Sequence, residues 1–340
     1  MRSLALTRAR AGLAAFAAAC LASMAPAPAW AGGTAAAPVP PAACPPPVTA
    51  AAPQDGWDAA ARRATDHGLL WRIEKNGHAS WLYGTIHVAR ADWALPGPTV
   101  RAALGQSDLL ALEFDPLDSA ATAKAVAAQA GAAASDRPLG GARTARLARQ
   151  RDAACLSDDI AARLSGMPPV LQVMGLGVLA ARSDGLYPEF GIDMMLSSIA
   201  HAGHKPVASL ESADQQVELL GSTFRNEERA QVDEMLDQLE SGQARRQLVE
   251  LAEAWARSDL QTLSRYPEWC ECLDTARKRR QMKRLIDDRN PKMADKIARL
   301  HAGGRAVFVA VGSLHLVGPH GLPALLAARG FSVTPVLPPG

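Results

Sequence analysis

Short apolar runs and longer stretches of helical spacing follow one another along the chain, and their order gives the first view of the fold. Residues 69–74 and 79–86 are rich in leucine, β-branched and aromatic positions, and Lys75-Asn76-Gly77-His78 separates them. Asn-Gly between two such runs predicts a hairpin, because the tight turn needs positive φ at its centre. Residues 98–106 predict a short helix, and 108–114 a buried strand ending in Glu113. Helical spacing dominates 118–165, with a Gly/Ser-containing break near 131–141, and continues over 171–182 and 189–202. A short strand is predicted at 206–210. Helical spacing returns over 212–258, broken at Gly221 and Gly242, and over 273–301, interrupted at Asn290-Pro291. The chain closes on an apolar strand at 305–311, a helix at 322–329 stopped by Gly330, and a strand at 331–336. This order predicts an α/β fold. Its central β-sheet is built from strands near both ends of the mature chain, flanked by helices, with a mainly helical middle insertion.

The first 55 residues break the pattern. Arg2, Arg8 and Arg10 precede an Ala/Leu/Phe-rich run over 11–24, and Ala29-Trp30-Ala31 offers a small-x-small cleavage site. Residues 1–31 therefore read as a signal peptide, and the expected location is periplasmic or secreted. Pro26 and Pro28 cut the run short of a membrane span, and no stable span is expected after cleavage. Residues 32–55, with Pro38, Pro40, Pro41 and Pro45-Pro46-Pro47, read as an Ala/Pro-rich flexible linker, and 56–340 as the folded domain. The whole chain carries +2, and losing the three signal arginines leaves −1. Such a balance gives no general attraction to nucleic acid or anionic lipid, so function must lie in a site.

Cleavage leaves Cys44, Cys155, Cys270 and Cys272. An oxidising compartment permits a disulfide, expected from Cys155 to Cys270 or Cys272, with Cys44 left in the linker. Spacing does not fix the pairing. Cys270-Glu271-Cys272 lacks the second Cys/His pair that a structural zinc site needs.

Two segments match each other. Trp81-Leu82-Tyr83-Gly84-Thr85-Ile86-His87 and Val307-Phe308-Val309-Ala310-Val311-Gly312-Ser313-Leu314-His315 each run from an apolar strand through glycine to a histidine three residues on. Glycine permits a bend or close approach where a strand ends. In open α/β sheets ligands collect outside the carboxyl ends of strands. One Gly-x-x-His is usually a structural histidine. Two of them, with Glu113 ending a third strand, form a set of imidazole and carboxylate donors suited to Zn, Mn, Fe or Co.

The chain resembles the TraB/GumN family, which is related to the Tiki proteases, from about 71 to 336. The resemblance rests on Leu82-Tyr83-Gly84-Thr85-Ile86-His87, Leu112-Glu113-Phe114-Asp115, Gly191-Ile192-Asp193 and Lys205-Pro206-Val207-Ala208-Ser209-Leu210-Glu211. Asp288-Arg289-Asn290, Val311-Gly312-Ser313-Leu314-His315-Leu316 and the ending Gly318-Pro319-His320-Gly321-Leu322 continue the series. The resemblance implies a pseudo-repeated α/β fold and a divalent-metal peptidase using both Gly-x-x-His motifs, supported by manganese or cobalt. Ser313 and Leu314 stand where small residues are common in the family, and Pro319-His320 where an acidic pair is frequent; both departures bear on pocket selectivity.

Roles follow from chemistry. His87, His315 and Glu113 are candidate ligands for Mn, Co or Zn, with Glu113 as third ligand or neighbouring base. Glu211 is a second carboxylate, ligand or general base. Arg289 is a candidate oxyanion stabiliser and Asn290 a holder of substrate backbone, or else a helix cap before Pro291. The expected partner is a peptide or protein segment, with no nucleic acid. The alternatives are a non-catalytic peptide-binding or sequestering protein and a metal-dependent esterase on the same fold. Gly175-Leu176-Gly177-Val178-Leu179-Ala180 mimics a dinucleotide fingerprint but lacks the acid expected about 20 residues later. His201 and His204 are read as surface residues near a helix end, and the basic run 277–284 as a solvated face.

Overall fold

The computed structural model describes residues 44–45, 57–124, 139–212, 214–216, 219 and 228–337. The expected signal peptide, nearly all of the expected linker and Gly221 lie outside the described residues, as does most of the break near 131–141.

Strands β1 (Leu69–Lys75) and β2 (His78–Thr85) form the expected hairpin, with Asn76 at φ 54° and Gly77 at φ 80° in the turn. β3 is Leu109–Leu112, β4 Val207–Ser209, β5 Val307–Gly312 and β6 Ser332–Pro335. They make one six-stranded mixed sheet in the order β4-β3-β5-β2-β1-β6. β4, β3, β5 and β2 run parallel in succession, whereas β1 is antiparallel to both its neighbours. Four carboxyl ends therefore open on one edge.

The period-two alternation divides the sheet residues between two cores. Leu70, Leu110, Leu112, Phe308 and Ala310 face the helices Pro98–Gly105, Ile192–Ala202 and Gln243–Ala256. Leu69, Trp71, Ile73, Leu109, Val307, Val309 and Val311 face the helices Asn290–Ala302 and Leu322–Ala327. Burial on both faces is why β5 is a continuous apolar run rather than an alternating one. The helical middle has its own core, in which Leu147, Val173, Leu176, Val232 and Leu236 join the helices Gly141–Ala153, Pro169–Leu179 and Glu228–Glu240. Among the described residues no helix is long and apolar enough to cross a membrane.

Two expectations are corrected. The helix expected from 189 begins at Ile192, because a short 3-10 turn, Pro188–Phe190, and Gly191 precede it. The disulfides are Cys44–Cys155 and Cys270–Cys272, with Cα separations of 5.7 and 5.0 Å, so Cys155 pairs with neither Cys270 nor Cys272. Cys155 follows the helix Gly141–Ala153 in the helical middle, where the linker cysteine Cys44 reaches it. Cys270 follows the short helix Tyr266–Trp269, and Glu271 at φ 50° turns the chain so that Cys272 returns to it.

Candidate active site

The four parallel strands deliver four chemistry-bearing side chains to one edge: Glu211 beyond β4, Glu113 beyond β3, His315 beyond β5 and His87 beyond β2. Thr85 pairs with Gly312 across β2 and β5, so the two Gly-x-x-His turns leave the sheet side by side. They also touch: the Ser313 hydroxyl donates to the Thr85 carbonyl at 3.0 Å. This contact explains the first glycine. A Cβ at Gly84 would lie 2.6 Å from Ser313 Oγ and 3.0 Å from Leu316 Cδ1. At Gly312 a Cβ would press on the Glu113 carboxylate at 3.3 Å, and the Gly312 N–H donates to Glu113 Oε1 at 2.8 Å. Gly312 has φ −51°, so close approach, not a left-handed backbone, is what this position requires.

His315 is buried and held from both sides. Asn290 Nδ2 donates to the His320 carbonyl at 2.8 Å, which turns Asn290 Oδ1 toward the ring. His315 Nδ1 lies 2.6 Å from that oxygen and so carries the proton. Nε2 is then the acceptor nitrogen, 3.1 Å from Arg289 Nη1 and 3.7 Å from Glu113 Oε1. Desolvation, helped by the cations of Arg289 and His87, outweighs the carboxylates Glu113 and Glu211 and lowers the His315 pKa to about 4. His315 is therefore neutral at pH 7.

His87 has the same motif but a different partner. Its Nδ1 lies 2.7 Å from Asp193 Oδ2, and Thr85 Oγ1 donates to Asp193 Oδ1 at 2.6 Å. Asp193 stands in the first turn of the helix Ile192–Ala202, where a carboxylate is favoured by the helix dipole. Desolvation opposes the charged imidazole, but the charge and hydrogen bond of Asp193, aided by Glu113, prevail and raise the His87 pKa to about 9.

Arg289 joins the carboxylates. Its Nε and Nη2 reach Glu211 at 2.9 and 2.5 Å, and Nη2 also bonds Glu113. The Glu211 N–H donates to the Glu113 carbonyl at 2.8 Å, which keeps the two acids adjacent. Burial alone would raise the Glu113 carboxyl; His315, Arg289, His87 and the Gly312 N–H hold it well below the usual carboxylate range. Burial likewise opposes the Arg289 cation, and Glu113 and Glu211 more than restore it.

His87, Glu113, Glu211, Arg289, Asn290 and His315 thus form one cluster. Asn290 is the first residue of the helix Asn290–Ala302 and not its cap: Arg289 holds the N-cap position without a side-chain cap bond, and the Asn290 amide is committed to His315 and His320. His204 is exposed, and His201 is half-exposed yet bonded at 2.8 Å to buried Asp115. Sequence reasoning gave no role to Asp193, Thr85 or Asp115. The signal for Asp193 was present as an acid in the first turn of an otherwise apolar helix.

Among the described residues no three His, Cys, Asp or Glu side chains stand close enough, as arranged here, to share one ion. The donor chemistry nonetheless fits a divalent cation. Both imidazoles commit Nδ1 to an oxygen, the support that metal-bound histidines use, and an ion would have to take Nε2 of His315 from Arg289 and displace the proton of His87. Arg289 supplies positive charge at the carboxylates Glu113 and Glu211.

No curated protein and no solved structure matches the chain. The sequence model of the TraB/PrgY/gumN family matches residues 69–335, which span every strand of the sheet and all six members of the cluster. The chain belongs to the TraB/PrgY/gumN family.

Proposed function

We propose that this protein is an exported metal-dependent hydrolase, a peptidase, with a divalent cation held by His87, His315 and Glu113. The observation that carries the reading is the meeting of two Gly-x-x-His turns and a buried carboxylate at one parallel sheet edge, each imidazole oriented through Nδ1. A bound Mn, Co or Zn ion would supply an activated water and polarise the scissile carbonyl. Asp193 and Asn290 hold the imidazoles in the tautomer that offers Nε2. Glu211, left outside the ligand set, accepts a proton. The Arg289 guanidinium faces negative charge developing on the substrate oxygen.

Export rests on the arginine-rich start, the apolar run and Ala29-Trp30-Ala31, and two disulfides are compatible with an oxidising compartment. The mature chain then begins at Gly32, with the linker at 32–55 and one domain over 56–340. The test is metal analysis of the mature protein, then a peptide-library cleavage assay with manganese, cobalt and chelator. Cleavage abolished by chelator and restored by metal supports the proposal. Cleavage of esters alone gives the esterase reading.

One observation favours a second reading. The Arg289 cation already pairs with both Glu113 and Glu211, so the two carboxylates have a cationic partner without an added ion. A protein that binds peptides, retains no metal and cleaves nothing would be a peptide-sequestering member of the family.

A further inference from the structure

The Cys270–Cys272 bridge shares no residue with the sheet-edge cluster, and chain stability does not account for it. A disulfide stabilises mainly by closing a loop in the unfolded chain, and the effect grows with loop length. Cys44–Cys155 closes a separation of 111 residues, whereas Cys270–Cys272 encloses Glu271 alone. The short bridge also carries a conformational cost. Glu271 sits at φ 50°, a left-handed backbone that a residue with a Cβ adopts unwillingly.

Its two sulfurs are unlike. Cys270 is fully buried and Cys272 only half-buried, so an incoming thiol reaches Cys272 first. Each sulfur also has a donor in place. The Cys272 N–H points to Cys270 Sγ at 3.2 Å, and the Tyr266 hydroxyl lies 3.6 Å from Cys272 Sγ. Burial raises the Tyr266 pKa, which keeps that hydroxyl protonated and able to donate. Such donors stabilise thiolates, the species formed when the bridge opens. From the helix Gln243–Ala256, Gln247 donates to the Cys270 carbonyl and Gln243 to the Glu271 carbonyl at 3.4 Å, which fixes the loop.

We propose that Cys270–Cys272 is a thiol–disulfide exchange site that oxidises dithiols on peptide or protein partners. A partner thiolate attacks Cys272 Sγ. The Cys270–Cys272 bond breaks, a mixed disulfide forms on Cys272, and Cys270 leaves as a thiolate beside the Cys272 N–H. The partner's second thiolate attacks its own first sulfur and releases the Cys272 thiolate beside the Tyr266 hydroxyl. The partner loses two electrons and gains a disulfide; Cys270 and Cys272 gain those electrons and the two thiol protons. The exchange is stoichiometric, one bridge per partner. Relaxation of Glu271 out of the left-handed region favours the opened state, which makes the bridge an oxidant.

The test incubates the oxidised full chain with a synthetic dicysteine peptide, followed by acid quenching, alkylation and mass mapping. The expected result is peptide oxidation matched one-for-one by opening of Cys270–Cys272, at least about tenfold faster than any loss of Cys44–Cys155, with the trapped mixed disulfide on Cys272. Glu271→Gly removes the left-handed penalty and should move the exchange equilibrium about tenfold toward the closed bridge. Tyr266→Phe should slow release of the oxidised peptide while leaving thermal stability nearly unchanged. A peptide that stays reduced, a mixed disulfide on Cys270, or a Glu271→Gly equilibrium equal to that of the parent chain would overturn the assignment.

Discussion

The two Gly-x-x-His turns share a motif, a sheet edge and a direct hydrogen bond, yet their histidines are pushed in opposite directions. His87, with 44% of its side chain exposed, faces the carboxylate Asp193, and its pKa rises to about 9. His315, with 3% exposed, faces the neutral amide of Asn290 and the Arg289 cation, and its pKa falls to about 4. The motif therefore sets where an imidazole is displayed, and its surroundings set its protonation: Asp193 charges His87, and burial keeps His315 neutral. At neutral pH without metal, one turn offers a cation and the other a lone pair. The two would become equivalent donors to the proposed ion only if it displaced the His87 proton, and such displacement would make binding pH-dependent.

The largest effects test whether the two turns serve one ion. His87→Ala and His315→Ala should each remove the bound metal and lower kcat/KM by at least about a thousandfold, close to 4 kcal/mol of transition-state stabilisation. Both losses should occur together in each variant, read by metal analysis and peptide cleavage on the same samples. If His87→Ala keeps its metal while His315→Ala loses it, the turns have separate tasks and the shared site is wrong.

The second test exchanges the partners. Asp193→Asn gives His87 an amide like that of His315, and Asn290→Asp gives His315 a carboxylate like that of His87. Changing such a supporting residue should weaken metal affinity by about 10- to 100-fold. Asn290→Asp should also destabilise the fold, because Asn290 is fully buried and the new carboxylate faces the His320 carbonyl without a donor. Asp193→Asn should cost less, since the Thr85 hydroxyl can still donate to the amide oxygen. Equal affinity in the parent and both variants would mean that Nδ1 partners do not govern these imidazoles.

Much of this geometry was legible because it is local. Apolar runs marked β2, β3 and β5, glycine marked each turn, and both histidines and Glu113 fall at fixed offsets from strand ends. What was not legible depends on distant chain. Nothing near His87 names Asp193, more than a hundred residues away, as its partner, and nothing near Asn290 shows that its amide faces a ring rather than capping a helix. The cysteines repeat the lesson. A proline-rich stretch gave Cys44 no visible anchor, yet it bonds Cys155 on a helical core that packs apart from the sheet. Composition describes a segment's own preferences, whereas pairing depends on what tertiary structure brings beside it.

A pH series sharpens the comparison in chelator-treated protein. The folded pKa of His87 is raised from 6.5 to about 9, so its contribution to stability is complete below pH 6.5 and lost as pH rises through about 9. The folded pKa of His315 is lowered from 6.5 to about 4, so the unfolded chain takes up the proton first and stability falls as pH drops from 6.5 toward 4. Urea melts should therefore show the metal-free protein losing stability in both directions from near pH 6.5. Asp193→Asn should flatten the alkaline limb and leave the acidic one. An alkaline limb unchanged in Asp193→Asn would place the titrating group elsewhere.

The smallest expected effect concerns a third histidine that borders the site without entering it. Asp193, Ser197 and His201 follow at intervals of four on the helix Ile192–Ala202, so they share one face. Asp193 holds His87, while Ser197 and His201 bond buried Asp115 at 2.6 and 2.8 Å, two residues beyond Glu113. One helix thus braces the segments that follow β2 and β3. His201 is the most exposed part of that brace, with 46% of its side chain in solvent, and Asp115 keeps the Ser197 hydroxyl and the Leu117 N–H when the ring is removed. His201→Ala should therefore cost about 1 kcal/mol or less of stability and leave metal content and cleavage unchanged. Thermal melts, metal analysis and peptide cleavage on this one variant decide the matter. Loss of metal in His201→Ala would show that the helix sets the spacing between the His87 turn and Glu113, and the two turns could no longer be treated as sites governed only by their nearest partners.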